Sequence, residues 1–211
     1  MRRPDYYYRH NRSDVLAFVR SCNIQFNTLL DVGAGDGEFL ASIDAAEKWG
    51  VDPNGNVATP GPVFIRERFE DACDKLPNNH FDLICLNDVL EHVPDDRVVL
   101  SEVRKKLSPR GWLVVSIPNA RYISMMYDYL ICRDWRYADE GILDRTHIRF
   151  YTRKSAERLF KEAGFVVERR ARVGGYLSAR KILFFLFVNI ATLFTAMDSS
   201  CYQYLFLLRR K

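Results

Sequence analysis

Between positions 29 and 40 the chain reads Leu29-Leu30-Asp31-Val32-Gly33-Ala34-Gly35-Asp36-Gly37-Glu38-Phe39-Leu40. Leu29, Leu30 and Val32 make the short apolar run of a buried strand, and Phe39, Leu40 and Ile43 begin a helical spacing. Three glycines stand at alternate positions between them. The order is therefore strand, glycine turn, helix. Glycine there accepts positive φ and lets the backbone come close to a bound molecule, because no Cβ intervenes. The N–H groups that open the next helix then point at that molecule. A spaced-glycine turn also serves as a plain tight turn, so its meaning depends on the residues that stand downstream at fixed intervals.

Downstream, Lys48-Trp49-Gly50-Val51-Asp52 is predicted to be a second strand ending in an acid. Asp52 stands about twenty residues past the turn, the interval at which a carboxylate at the next strand's end can take two ribose hydroxyls. Its plain alternative is a loop-initiating aspartate before Pro53. Residues 53–62 carry three prolines and two glycines, so a loop replaces the usual crossover helix. Val63-Phe64-Ile65 reads as a third strand. Residues 81–86 read as a fourth, apolar on both faces like a central parallel strand. Pro94-Asp95-Asp96 opens a helix with Val99, Leu100, Val103 and Leu107 on one side and Lys105 and Lys106 in its last turn. Pro109-Arg110-Gly111 turns the chain into a fifth strand over 112–117.

Toward the start of the chain, Ser13 is expected to cap a helix bearing Val15, Leu16, Phe18 and Val19. Ahead of it, Tyr6, Tyr7 and Tyr8 belong either to packing over the sheet edge or to a lid at a substrate entrance. Near the other end, Thr152 caps a helix carrying Ala156, Leu159, Phe160 and Ala163, stopped by Gly164. Strands over 165–168 and 202–208 complete the pattern. Strands alternating with helices imply an α/β chain with a parallel sheet and right-handed crossovers. No repeat or linker divides the 211 residues, so one domain is expected over 1–211.

Composition narrows the class. Hydrophobic residues make up 48% and charged residues 27%, the balance of an ordinary soluble domain. A net charge of +4 permits a nucleic acid or an anionic surface as partner but demands neither. The five cysteines, Cys22, Cys73, Cys85, Cys132 and Cys201, are odd in number and show no C-x-x-C spacing, which points to reduced thiols and a cytoplasmic setting. The histidines are dispersed along the chain, so no metal site is expected. Residues 1–20 contain no long apolar run, so no secretory leader is expected.

Taken together, these segments resemble the class I S-adenosylmethionine (SAM)-dependent methyltransferases over roughly residues 25–170. Asp31-Val32-Gly33-Ala34-Gly35-Asp36-Gly37 is similar to the family's D-x-G-x-G-x-G turn, and Gly50-Val51-Asp52 to its second-strand acid. Phe81-Asp82-Leu83-Ile84 followed by Asn87-Asp88-Val89-Leu90-Glu91-His92-Val93 resembles the fourth strand and the motif after it. Leu107-Ser108-Pro109-Arg110-Gly111 resembles the usual leucine-x-proline-glycine-glycine turn, with Arg110 in place of one glycine. The segment 141–152, Gly141-Ile142-Leu143-Asp144-Arg145-Thr146-His147-Ile148-Arg149-Phe150-Tyr151-Thr152, looks like a branch often associated with glycan and polysaccharide assembly.

The resemblance implies a Rossmann-like, doubly wound, mostly parallel seven-stranded sheet with an antiparallel last strand. It implies SAM as cofactor and S-adenosylhomocysteine (SAH) as product, with Gly33, Ala34, Gly35 and Gly37 cradling the ligand. Asp31 would face the amino group of the methionine part, Asp52 the ribose, and Asn87 the methionine end. The adenine amino group would go to Glu70 or Asp71, with Asp71 preferred. Residues 119–152 form an insertion on the acceptor side. His147 is the leading candidate for a catalytic base and His92 the second, each able to titrate near neutrality, with Asp144 placed to orient a histidine or cap a turn.

The expected acceptor is an oxygen of a sugar, glycan or small molecule. Two alternatives remain beside it: a quinone-like or lipid acceptor, and a SAM-binding regulatory partner without catalysis. Nucleic acid is not expected, because no Asn-Pro-Pro-Tyr-type base-gripping motif is present. Arg169, Arg170 and Arg172 read as the solvated end of an element. Residues 182–197 carry no charge, and only Asn189, Thr192 and Thr195 interrupt them. As a helix they would reach about 24 Å, short of the ~30 Å hydrocarbon core, so a membrane span is not expected. The alternatives for this helix, around 180–198, are burial in the core, a homodimer contact, or peripheral membrane contact at the inner face, aided by Arg180, Lys181, Arg209, Arg210 and Lys211.

Overall fold

The structure is a computed structural model, and it describes residues 12–55, 61–175 and 177–211. The tyrosines at 6–8 and residues 56–60 of the proline-rich loop lie outside the described residues.

A seven-stranded sheet has the order β3-β2-β1-β4-β5-β7-β6. Its strands are β1 (Thr28–Val32), β2 (Glu47–Val51), β3 (Val63–Ile65), β4 (Phe81–Asn87), β5 (Leu107–Pro118), β6 (Phe165–Gly174) and β7 (Cys201–Arg210). The pairs up to β4–β5 are parallel, and β7 runs antiparallel between β5 and β6. Among the described residues seven α-helices flank the sheet: α1 (Ser13–Ser21), α2 (Glu38–Ser42), α3 (Phe69–Ala72), α4 (Asp96–Lys106), α5 (Ile123–Leu130), α6 (Arg153–Glu162) and α7 (Ala179–Ala191).

Side chains alternate across a strand, and here both faces are covered. Leu29, Leu83, Cys85, Val114 and Leu207 pack on one side with Val15, Phe18, Phe39 and Leu40. Leu30, Ile84, Leu86, Val115 and Phe206 pack on the other with Val99, Leu100, Val103 and Phe160. That is why the central strands read as continuous apolar runs.

Register then builds one end of the sheet. Val32 pairs with both Val51 and Leu86, so Gly33, Asp52 and Asn87 leave the sheet side by side. Pro118 pairs with Gln203, which brings the start of β7 to the same edge. This is the edge beyond the carboxyl ends of the parallel strands, where the order reverses between β1 and β4 and where ligands bind in open α/β sheets.

Several local expectations change. Ser13 does not cap α1: it is the first helical residue, the N-cap is Arg12 at φ 43°, and no side chain caps the end. Arg12 is held there by its ion pairs to Asp14 and Asp88. The helix after the glycine turn lasts only five residues, and Ile43 is already extended. β5 begins earlier than predicted, at Leu107, because Pro109-Arg110-Gly111 is absorbed as an irregularity between the pairs Phe81–Leu107 and Leu83–Trp112. β6 continues through Arg169, Arg170 and Arg172 to Gly174, paired along β7. The α6 cap is as predicted: Thr152 accepts from the Ser155 N–H, and Ser155 Oγ accepts from the Thr152 N–H, closing a capping box.

The apolar helix α7 stops at Ala191, and Leu193 and Phe194 follow at positive φ. Among its residues Asn189 is the buried one, and its Nδ2 donates to the Phe185 carbonyl one turn back. The polar stripe therefore turns inward at Asn189 and most of the apolar surface turns outward. That is the reverse of a core helix. Among the described residues, no helix is long and apolar enough to cross a membrane.

Candidate active site

The edge built by β1, β2 and β4 opens into a cavity of about 930 Å³, within the range of roughly 300–1,000 Å³ usual for ligand clefts. Asp31, Gly33, Ala34, Gly35, Asp52, Asn87, His92, Asp144 and His147 all line it. Glu70 lines it too, whereas Asp71, preferred from the sequence, does not. Asp71 is exposed one residue further on in α3, and each helical step turns a side chain by about 100°. Gly37 is likewise absent from the wall. It is the N-cap of α2 at φ 80°, so its role is to start the helix.

The glycine turn is shaped for close approach. Gly33 has φ +75°, and a Cβ there would come within 2.9 Å of Val89 Cγ2. Its N–H and that of Ala34 donate to the Val51 carbonyl, at 2.8 and 3.2 Å, which ties the turn to the end of β2. Asp52 completes the tie. Its Oδ2 accepts from the Gly35 N–H at 3.0 Å, and its Oδ1 accepts from the N–H groups of Asn54 and Gly55, each at 2.8 Å. A carboxylate has about four acceptor sites. Three are engaged by backbone, which leaves about one for a ligand unless a turn bond is released.

Asp31 is 2% exposed and accepts from Asn87 Nδ2 at 3.1 Å. Burial pushes its carboxyl up to about 8; the Asn87 bond and the Arg12 charge act in the opposite sense. Facing the positive charges of SAM, this carboxyl would ionise.

The opposite part of the wall comes from two loops. Glu91 and His92 follow β4, and residues 141–147 form a turn-rich segment joined to them. The N–H groups of Ile148 and Arg149 donate to the Glu91 carbonyl at 2.9 and 3.2 Å. His147 is buried, and its Nδ1 donates to the Ile142 carbonyl at 2.9 Å. His92 Nδ1 lies 3.2 Å from the Thr146 carbonyl and 3.1 Å from Thr146 Oγ1. The two imidazoles meet edge-on, with ring centroids 4.6 Å apart. Asp144 orients this segment: its Oδ1 accepts from the N–H and the hydroxyl of Thr146, both at 2.7 Å. Thr146 in turn positions His92.

Sequence reading missed a polar cluster on the same wall. Arg12 reaches Asp88 at 2.6 Å, Asp14 through two nitrogens at 3.1 Å, Ser116 at 3.2 Å and Gln203 at 3.2 Å. Gln203 also donates to Asp88. Arg12, Asp88, Glu91, Glu140, Tyr202 and Gln203 all line the cavity. Two of its members, Arg12 at φ 43° and Asp88 at φ 54°, hold the left-handed backbone that in residues other than glycine gathers at functional loops, a feature of the structure and not of the sequence.

A methyltransferase-domain family profile matches residues 3–169, and the chain belongs to that family. The chain is thus a methyltransferase, and its fold is shared with SAM-dependent methyltransferases. A ubiquinone biosynthesis O-methyltransferase of Hydrogenovibrio crunogenus is 25% identical over 168 residues, covering 72% of this chain and 67% of that one. A SAM-dependent methyltransferase of Archaeoglobus fulgidus shares the fold with a TM-score of 0.63 at 18% identity, over 98% of this chain and 97% of the other. Magnesium protoporphyrin IX methyltransferase of Synechocystis PCC 6803, solved with bound SAH, does so with a TM-score of 0.60 at 13% identity, over 97% and 84%.

Proposed function

We propose that this chain transfers a methyl group to a hydroxyl oxygen of an amphiphilic acceptor, a lipid-linked sugar being the first choice. The observation that carries the reading is one cavity lined at once by the glycine-turn residues and by Glu91, His92 and His147. SAM supplies a methyl already activated on a sulfonium. The chain has to hold the acceptor oxygen in line behind that methyl, exclude water and manage the hydroxyl proton. Asp31, Asp52 and Glu70 would hold the ammonium, ribose and adenine parts. In the neutral tautomer with Nδ1–H on Ile142, His147 presents its lone pair at Nε2 and is the leading group for the hydroxyl proton, with His92 second.

The outer surface supports an amphiphile. On α7 and the turn after it, Leu183, Phe187, Ile190 and Leu193 are 70%, 67%, 66% and 84% exposed. α5 packs against α7 through Tyr127 and Phe184 and through Lys181 with Asp128, and it adds exposed Leu130 and Ile131. Arg180, at the start of α7, and Arg133, just past α5, are exposed. An apolar face rimmed by cations suits an anionic bilayer surface. A quinone-like phenol is the second reading, favoured by the relative named as an O-methyltransferase of ubiquinone biosynthesis.

Transfer of labelled methyl from SAM to a panel of lipid-linked sugars, free sugars, catechols and amines tests the chemistry. Label should appear on an oxygen of a lipid-bearing acceptor. Label on amines alone, or on none of the panel, would reject the reading. Flotation with anionic vesicles should carry the protein, and Leu183→Asp with Phe187→Asp should release it. A dimer in sedimentation that ignores vesicles would assign the face to a second copy instead.

A further inference from the structure

We propose that Glu91, His92 and His147 form a divalent-cation site in the cavity wall, whose ion binds the acceptor oxygen. The inference rests on the hydroxyl-acceptor reading and changes how that hydroxyl is activated.

One carboxylate oxygen of Glu91 and one nitrogen from each of His92 and His147 lie within 4.8 Å of one another. Tetrahedral ligands about 2.1 Å from a common ion stand about 3.4 Å apart. The group therefore has to close by up to roughly 1.4 Å, which rotation of the three side chains would supply. Two imidazoles and one carboxylate are a borderline donor set that suits manganese, iron, cobalt or zinc better than magnesium or calcium. Three protein ligands leave positions open, as in a catalytic site and unlike a closed structural one.

The surroundings fit that use. Metal-bound histidines usually donate their other ring N–H to a carbonyl or carboxylate, which fixes the tautomer. His147 Nδ1 is on the Ile142 carbonyl and His92 Nδ1 is on the Thr146 carbonyl, so in each neutral ring the lone pair lies at Nε2. Thr146 is itself fixed by Asp144. The Glu91 carboxyl group belongs to a residue only 1% exposed, and a buried carboxylate requires compensating positive charge. Arg12 lies within electrostatic reach of it, and a cation between the two rings would add to that compensation. The sequence hides the group, because His147 stands far along the chain from Glu91 and His92.

With the ion in place the two histidines are ligands and not proton acceptors. The acceptor hydroxyl binds the ion, its pKa falls, and its proton leaves to water. The oxygen then forms the new O–C bond to the methyl. The C–S bond breaks, its electron pair returns to sulfur, and the sulfonium becomes the neutral thioether of SAH.

The test uses the full-length protein, stripped with chelator and titrated with Mn²⁺ by calorimetry and by loss of the free-ion EPR signal. One Mn²⁺ per chain should bind, and Glu91→Gln and His147→Ala should each weaken it at least about tenfold while the variants stay folded and keep their SAM affinity. Absence of binding at millimolar Mn²⁺, or equal binding in both variants, overturns the site. Methyl transfer to a hydroxyl acceptor that continues undiminished in EDTA overturns it while leaving the hydroxyl reading intact. Variant-sensitive Mn²⁺ binding without any hydroxyl methylation keeps the site and rejects that reading.

Discussion

The Asp52 carboxylate and the Gly35 amide are joined by a 3.0 Å hydrogen bond. The same carboxylate receives Asn54 and Gly55, so one side chain holds both loops at this edge of the cavity. Gly55 packs so closely that a Cβ there would fall 2.1 Å from the Gly35 carbonyl oxygen. If this acid also holds the ribose, its loss should have a dual phenotype. Asp52→Ala should weaken SAM binding tens- to hundreds-fold, by charge-assisted bonds worth about 1.5–3 kcal/mol each. It should also lower the melting temperature, because three backbone donors lose their acceptor. Calorimetry and thermal unfolding read the two effects separately, and unchanged SAM affinity would remove Asp52 from the site.

Asp31 gives a pH prediction. Its carboxyl is raised by burial from 3.8 to about 8 in the ligand-free fold. Between those values the native state holds a proton that the unfolded chain has released. Stability from this group is therefore full below about pH 4 and is lost as pH rises toward about 8. SAM brings positive charge to the ionised form, so binding at pH 7 should release a proton and tighten as pH rises to about 8. Titration calorimetry in buffers of different ionisation enthalpy measures the release. Asp31→Asn should abolish it, and release that persists in that variant would place the titrating group elsewhere.

His147→Ala should lower turnover by about a hundredfold or more, the scale of a lost acid–base or metal-bound activating group, with SAM affinity changed less than about threefold. Single-turnover rates at saturating SAM, set beside equilibrium binding, make the comparison. A fall in SAM affinity with unchanged turnover per bound SAM would make the 141–147 segment cofactor scaffold.

Away from the cavity, Thr152→Ala opens the capping box at the start of α6. The cost should be about 1 kcal/mol, or roughly 2–4 °C for a chain of this size, with methyl transfer unaffected. Loss of activity in a variant that melts normally would show that α6 does more than pack on the sheet.

The sequence by itself determined the strand–glycine–helix unit at residues 29–40, the second-strand acid at Asp52, the fourth and fifth strands and the Thr152 cap. Each is set by neighbours within a turn or a strand: apolar period, a residue able to take positive φ, a side-chain oxygen three residues from an amide. The choice between Glu70 and Asp71 is also local, but it depends on the rotation at which α3 docks, which no pattern records. The rest depended on the sheet order. Val32 pairing with both Val51 and Leu86 sets Gly33, Asp52 and Asn87 together. The Pro118–Gln203 register delivers Gln203 to Asp88 and Arg12. The tie from Ile148 and Arg149 to the Glu91 carbonyl lays His147 against His92. Asn189 shows the same division: its place in a polar stripe is plain in the sequence, but its burial came from packing. Contacts between residues far apart in the chain are fixed by strand pairing and loop closure, so their chemistry becomes visible only once the tertiary structure has brought them to one edge.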